Sequence, residues 1–338
     1  MKFKKPFLIA EISANHGGKI SNAKKLILLA KKGGANAVKL QTYDANMMTL
    51  NSTDKRFVIK GGIWKNYKLW DLYHKAHTPL KWHKELFKFA KKNKIEIFSS
   101  PFSEEAVDFL EKLNCKFYKI ASFEMNDLNL IKKVAKTKKP MIISTGLANL
   151  SEISKSVKVA RKFGCIDITL LYCVSNYPST NYDFNLNNLE ILKKKFNCRV
   201  GLSDHSIGSN ISCMSIVKGA EVIEKHICLK NVKTVDSKFS LNAKNIGKFK
   251  KDLDAAYDLV KYKKFTRAKS ELGNNFFRRS VYAIRDIKKN EKFSKKNIKT
   301  FRPELGLSAS HYLKILGLKS PFNIKKNSPL SKKLNKLI

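Results

Sequence analysis

Only eight of the 68 basic residues are arginine. A surface built to read bases or grip phosphodiesters draws on arginine's planar, bidentate fork and gathers its charge on one face. Here the other 60 are lysines, strewn along the whole chain. The acidic side is equally thin, with 27 Asp and Glu against those 68, leaving a formal charge of +41. With 28 asparagines beside them, the lysines read first as compositional drift. A polyanion-binding protein on a non-catalytic barrel is the rival reading, and a field that steers an anionic substrate is the third. No apolar run approaches the ~18–20 residues of a membrane span. Glu11 breaks the apolar stretch near the N-terminus and no cleavage site follows, so a cytoplasmic protein with no membrane and no nucleic-acid partner is expected. The six cysteines show no CxxC pair, which excludes a disulfide framework and a structural zinc site. No glycine-rich fingerprint follows the first apolar run, which argues against a dinucleotide fold.

What is present is a rhythm. At 43% hydrophobic over 338 residues, the chain can fill a large core. Short apolar runs recur at 6–13, 37–43, 95–102, 117–122, 140–146, 168–175, 199–206 and 222–229. Most are separated by Lys-rich stretches with apolar residues three and four apart, which predict helices. Eight strand–helix units predict a (β/α)8 TIM barrel. Residues 44–94 exceed what one helix needs; their aromatic content and the pair Gly61-Gly62 mark a binding insertion. After a long helix at 243–262 the pattern changes. The organisation expected is a catalytic barrel at 1–265, a linker at 266–276 and a small second domain at 277–338. Within the latter, IKKNEKF and IKKNSPL repeat, with Asn290 and Asn327 where a turn asks for positive φ.

The unusual polar residues fall toward the C-terminal ends of the strands, where such barrels build their active sites. These are Glu11, Lys39 and Gln41, Ser100, Lys119 with Ser122 and Glu124, Ser144, Tyr177, Ser203 with Asp204 and His205, then Glu224, Lys225 and His226. Eight consecutive coincidences predict an enzyme. His205 and His226 on neighbouring strands form a plausible metal pair, and Cys228, on the face of His226, is a weaker third ligand. Lys39, Lys119 and Lys225 with the serine hydroxyls suit a substrate carrying phosphate or carboxylate; internal pairing with Glu11, Glu124 or Glu224 is the plainer explanation. Strict alternation sets Lys119 and Ser122 on opposite faces, so one of them must be reoriented.

In this order EISANHGG, AVKLQTY, FSSPF, YKIASFE, IISTG, YCVSNYPS, GLSDHS and IEKHI resemble the sialic acid synthase family, which condenses phosphoenolpyruvate with an N-acylated hexose. SVYAIRDIKKNEKFSKKNIKTFRPELGL resembles that family's antifreeze-like (SAF) domain. The insertion is most similar to the branch making pseudaminic acid from 2,4-diacetamido-2,4,6-trideoxy-β-L-altropyranose; acceptors leading to N-acetylneuraminate or legionaminate are the alternatives. The resemblance implies a divalent metal on His205 and His226, Mn²⁺ with Mg²⁺ or Co²⁺ as substitutes. It implies Lys39, Gln41, Ser100, Lys119, Ser122, Ser144 and Ser203 around phosphoenolpyruvate. It gives Glu11 and Glu124 the work of orienting water and moving protons, with Lys119 beside them, and places Tyr177 and Asp236 on the sugar. Arg302 and Phe276 would reach the acyl group from the small domain of a partner subunit in a domain-swapped homodimer. Two departures stand out: Ser175 where N-acetylneuraminate synthases carry Asn, and Ser100 where they carry Thr.

Overall fold

The computed structural model describes residues 5–262 and 264–338 and divides into two compact units, Met1–Lys261 and Tyr262–Ile338. In the first, eight parallel strands follow one another around a ring: β1 Phe7–Glu11, β2 Ala37–Thr42, β3 Glu96–Pro101, β4 Tyr118–Ile120, β5 Met141–Ser144, β6 Ile168–Cys173, β7 Arg199–Asp204 and β8 Val222–Cys228. β1 pairs with β8 as well as β2, so the sheet closes and leaves no open edge. The TIM barrel expected from the sequence is the fold. A two-residue strand, β9 Leu241–Asn242, extends β8.

The strands are nearly continuous apolar runs because both faces are covered, by the barrel interior and by the helices. Three of the crossover helices are started by a side-chain cap. Ser103 accepts the Ala106 amide to open Glu104–Lys112, Asp127 accepts two amides to open Leu128–Lys136, and Asn149 with Glu152 forms a capping box on Leu150–Lys162. Their apolar stripes, such as Leu130, Ile131, Val134 and Ala135, pack onto the sheet in one continuous core.

Parallel register then sets the site. Glu11 lies beside both Lys39 and His226, Gln41 beside Ser100, and Ser203 beside Glu224. β4 stops at Ile120, and Ser122–Glu124 turns as a 3-10 helix. That turn is the reorientation alternation demanded: Lys119 and Ser122 face the same cavity because strand geometry ends between them.

The insertion after β2 carries the helices Ala45–Met48 and Leu69–Ala76, with Val58 and Lys68 bridged, before the barrel's own helix Leu80–Lys92. No helix among the described residues is long and apolar enough to cross a membrane. All six cysteines are unbridged.

The second unit is built around β10 Ser280–Ala283 and β11 Ile298–Phe301, antiparallel, over a core that includes Val281, Phe293, Ile298, Leu307 and Leu330. Its sequence repeat pairs with itself: the Ile287 amide donates to the Ile324 carbonyl and the Ile324 amide to the Ile287 carbonyl, both at 2.8 Å. Asn290 and Asn327 hold the equivalent turns at φ 66° and 64°. The stretch read as a linker contains an exposed 3-10 helix, Lys269–Phe277.

Candidate active site

The C-terminal mouth of the barrel holds a cavity of about 290 Å³. Lys39, Gln41, Lys119, Ser122, Glu124, Ser144, Tyr177, Ser203, His205, His226 and Asp236 all line it, as do Glu224 and Cys173. Residues from seven different segments of the sequence thus meet on one surface.

Its floor is a buried charge quartet. Lys39 Nζ lies 2.9 Å from Glu11 and 3.6 Å from Glu224, and Lys119 Nζ lies 3.7 Å from Glu224. Burial alone would lower Lys39, but Glu11 and Glu224 outweigh it and raise its pKa. Lys119, with the more distant carboxylate, is lowered by burial and by the neighbouring Lys39. Burial opposes ionisation of Glu224, yet Lys119, Lys39 and the Ser203 hydroxyl hold it down at about 2. Ser203 donates to it at 2.9 Å. Glu11 is raised by burial and accepts from Gln41 Nε2 at 3.0 Å. Glu11 and Ser100 are not on the cavity wall. They stand behind Lys39, with Ser100 Oγ 3.2 Å from its ammonium, and reach the cavity through that lysine and, for Glu11, through Gln41.

Around this floor, several buried polar atoms have no hydrogen-bond partner: Ser144 Oγ, Glu124 Oε2 and His226 Nδ1. Such atoms are rare in folded proteins unless a ligand meets them. Burial raises the Glu124 carboxyl to about 7 despite the opposing pull of Lys119. Ser122 Oγ is 2.9 Å from Ser175 Oγ. A Cβ on Gly146 would fall 2.2 Å from that Ser175 oxygen, so only glycine leaves the hydroxyl pair its room.

The imidazoles of His205 and His226 meet edge to face at 5.4 Å. His205 Nδ1 donates to the Val174 carbonyl at 2.9 Å, which leaves Nε2 as the nitrogen available to a ligand. Burial first, and His205 second, hold His226 well below its usual range, so that ring is a neutral donor; burial alone would lower His205, but Cys173 outweighs it and raises its pKa. Together with the unpartnered Nδ1, this fits a divalent cation held by two imidazoles. Among the described residues no group of three His, Cys, Asp or Glu side chains is arranged to hold a metal. Cys228 is not a third ligand: its thiol turns to the Ser240 carbonyl at 3.7 Å.

Lys225 does not join the other lysines. On β8 it alternates with Glu224 and His226, so its side chain leaves the barrel on the helix side. It pairs with Asp204 at 3.0 Å and lies beneath the Phe249 ring. Asp204 is shared with Ser206 and Ser212. Lys225→Met should therefore cost stability, about 2–3 kcal/mol for a broken buried pair whose carboxylate keeps hydroxyl partners. The constants for an anionic substrate should not move; chemical denaturation and steady-state kinetics on one preparation check both.

Asp236 sits on the loop after β8 and is buried, which raises its pKa. The Ser13 hydroxyl donates to its carboxylate, and Ser13 holds φ 48° to do so, a conformation tolerated where surrounding contacts over-determine it. Asn15 binds the same loop through Ser240 and Thr234. Arg302 and Phe276 belong to the second unit, where both are exposed.

Sequence reasoning left several lining residues unassigned. Glu224 is legible by its two-residue spacing from His226, though the sequence marks it only as a partner for lysines. Met48 and Tyr73 come from the insertion's two short helices, and Ile59, Trp64 and Phe239 from irregular segments that have no periodicity to read.

A closed parallel barrel with buried ammoniums, carboxylates and imidazoles converging in its mouth defines an enzyme acting on an anionic small molecule. The NeuB family model matches residues 26–265 and the SAF domain model matches residues 278–334. Over 326 residues the chain is 45% identical to a pseudaminic acid synthase of Campylobacter jejuni, covering 95% of this chain and 94% of that one. Over 331 residues it is 44% identical to the pseudaminic acid synthase of Helicobacter pylori, covering 96% of each. An N-acetylneuraminic acid synthetase of Leptospira borgpetersenii, crystallised with citrate, superposes with a TM-score of 0.71 at 28% identity, over 80% of this chain and 90% of that one. The chain belongs to the NeuB family, and its small domain is a SAF domain.

Proposed function

We propose that this enzyme condenses phosphoenolpyruvate with 2,4-diacetamido-2,4,6-trideoxy-β-L-altropyranose, giving pseudaminic acid and phosphate. The carrying observation is the cavity floor: two buried lysines beside hydroxyls and carboxyls whose hydrogen bonds are unmade, within a family whose Campylobacter and Helicobacter relatives bear that activity. Lys39 and Lys119, with Gln41, Ser122, Ser144 and Ser203, hold the phosphate and carboxylate. Glu11 and Ser100 keep Lys39 extended into the cavity. Carbon 3 of phosphoenolpyruvate adds to the open-chain aldehyde, water adds at carbon 2, and phosphate departs with cleavage of its C–O bond. Glu124 orients that water and takes its proton, so its carboxylate form is the active one. Holding both reactants in one small cavity removes up to ~7–11 kcal/mol of entropic barrier.

Enzymes of this family are generally metal-dependent, and His205 and His226 are the residues that would hold the ion, Mn²⁺ or a similar one. Bound there, it supplies Lewis-acid polarisation of the aldehyde. Tyr177 and Asp236 meet the sugar. Arg302 and Phe276, exposed on the SAF domain, reach the acyl group of the sugar bound by a second subunit, so the working form is a domain-swapped homodimer. The reading carries with it a cytoplasmic location, where phosphoenolpyruvate is at hand.

Phosphate release with each of three acceptors tests the assignment. Turnover should be confined to the altro-configured diacetamido sugar. Turnover with N-acetylmannosamine or the manno-configured diacetamido sugar instead would move the enzyme to the neuraminate or legionaminate branch.

A further inference from the structure

The insertion that follows β2 leaves the C-terminal end of its strand and so stands over the barrel mouth. It contributes Met48, Ile59, Trp64, Leu72, Tyr73 and Ala76 to the cavity lining. Five of these six side chains are apolar or, in the case of Trp64, have their only polar atom already engaged. The indole Nε1–H of Trp64 donates to the Val235 carbonyl at 3.0 Å. Its ring lies 5.1 Å from that of Tyr177 and 6.4 Å from that of Phe239. The exception is Tyr73, whose ring meets that of Tyr43 edge-on at 6.0 Å and whose pKa is raised by burial and then by the Glu124 carboxyl. This wall therefore offers carbon and π-surface, with the Tyr73 hydroxyl as its one side-chain donor.

An acceptor whose aldehyde must meet phosphoenolpyruvate over Lys119, Ser122 and Ser144 extends its other end toward the insertion. From this juxtaposition we infer that the wall around Trp64 selects an acceptor whose distal carbon bears no hydroxyl, so that Trp64 is a specificity-determining residue for a 6-deoxy sugar. The inference rests on the proposed condensation and deepens it. A methyl group on the indole face is buried at no polar cost; a hydroxyl there is desolvated without a partner. Because an apolar pocket rejects an added hydroxyl only modestly, the selectivity is bounded at about 10²-fold. Trp64 also ties the insertion to the backbone next to Asp236, so the same residue that shapes the wall steadies the loop carrying a proposed sugar contact.

The test compares kcat/KM for matched 6-deoxy and 6-hydroxy N-acylated hexoses in wild type, Trp64→Ala and Trp64→Phe, with the KM for phosphoenolpyruvate measured alongside. Wild type should favour the 6-deoxy sugar by about 10–100-fold. Trp64→Ala should collapse that preference to within about fivefold and raise the sugar KM, leaving the phosphoenolpyruvate KM within about twofold. Trp64→Phe keeps an aromatic wall without the donor to Val235, so it should retain the preference and serve as the folded control. A preference unchanged in Trp64→Ala, or a wild type that favours the 6-hydroxy sugar, overturns the inference. The pair is made in whichever stereochemistry the wild type accepts, so a manno-configured acceptor would defeat the substrate reading while the 6-deoxy preference is still decided. A wild type that accepts no hexose overturns both.

Discussion

Lys119→Met is expected to lower kcat/KM for phosphoenolpyruvate by about 10²–10³-fold while the protein stays folded. Truncating one side of a buried, hydrogen-bonded charge pair costs 2–5 kcal/mol or more in binding, and each 1.36 kcal/mol is a factor of ten in rate. The lysine is buried and its own carboxylate partner is at 3.7 Å, longer than a close ion pair, and burial lowers its pKa, so its ammonium is poorly compensated before a ligand arrives. A phosphate or carboxylate would complete its coordination. The fold survives the change because Glu224 keeps Lys39 at 3.6 Å and the Ser203 hydroxyl at 2.9 Å. Steady-state kinetics with phosphoenolpyruvate as the varied substrate, set beside a thermal melt, checks both halves. A loss confined to the sugar KM would move phosphoenolpyruvate off this lysine.

Glu124→Gln should move activity and stability in opposite directions. The turnover number should fall by about 10²–10⁴-fold, the usual contribution of a positioned acid–base group. The wild-type rate should rise with pH through about 7, the value to which burial raises this carboxyl, and that limb should vanish in the variant. Stability follows from the same displacement. The folded protein keeps a proton on Glu124 between 4.5 and about 7, where the unfolded chain has lost it. The group's contribution to stability is therefore full below 4.5 and declines as pH rises through 7. At pH 8 the wild type bears a buried, ionised carboxylate that glutamine lacks. The amide still has an unmade hydrogen bond, so the net gain should be about 1–2 kcal/mol. Melting curves should show the variant more stable at pH 8 and the two proteins level near pH 4. A variant less stable at pH 8 would mean that Glu124 is held by contacts the free enzyme makes for itself.

The barrel was legible because its signals are local and periodic. Each apolar run, such as ITLLYCVS, became a strand within two residues of its expected ends, Ile168–Cys173, since the turn chemistry bounding it is local too. The site was legible for a related reason: residues at strand ends are gathered by closure of the sheet, whatever lies between them in sequence. Lys225 misled because three polar neighbours in a row look alike in composition, and only strict alternation along β8 separates Glu224 and His226 from it. The wall around Trp64 was not legible at all. Its position depends on how 44–79 folds over the mouth, through single contacts such as the indole bond to Val235, and no period encodes those.

The central claim is that this cavity joins phosphoenolpyruvate to a sugar by attack at its carbon 3, with water entering at carbon 2. The most direct measurement uses phosphoenolpyruvate carrying ¹⁸O in the bridging position, the altro-configured diacetamido sugar and Mn²⁺, with mass spectrometry of both products. The account predicts one heavy phosphate for each nine-carbon acid formed, and no label in the acid. Label retained in the acid would place the cleavage at phosphorus and remove water from carbon 2, and phosphate without a condensed acid would contradict the synthase reading altogether.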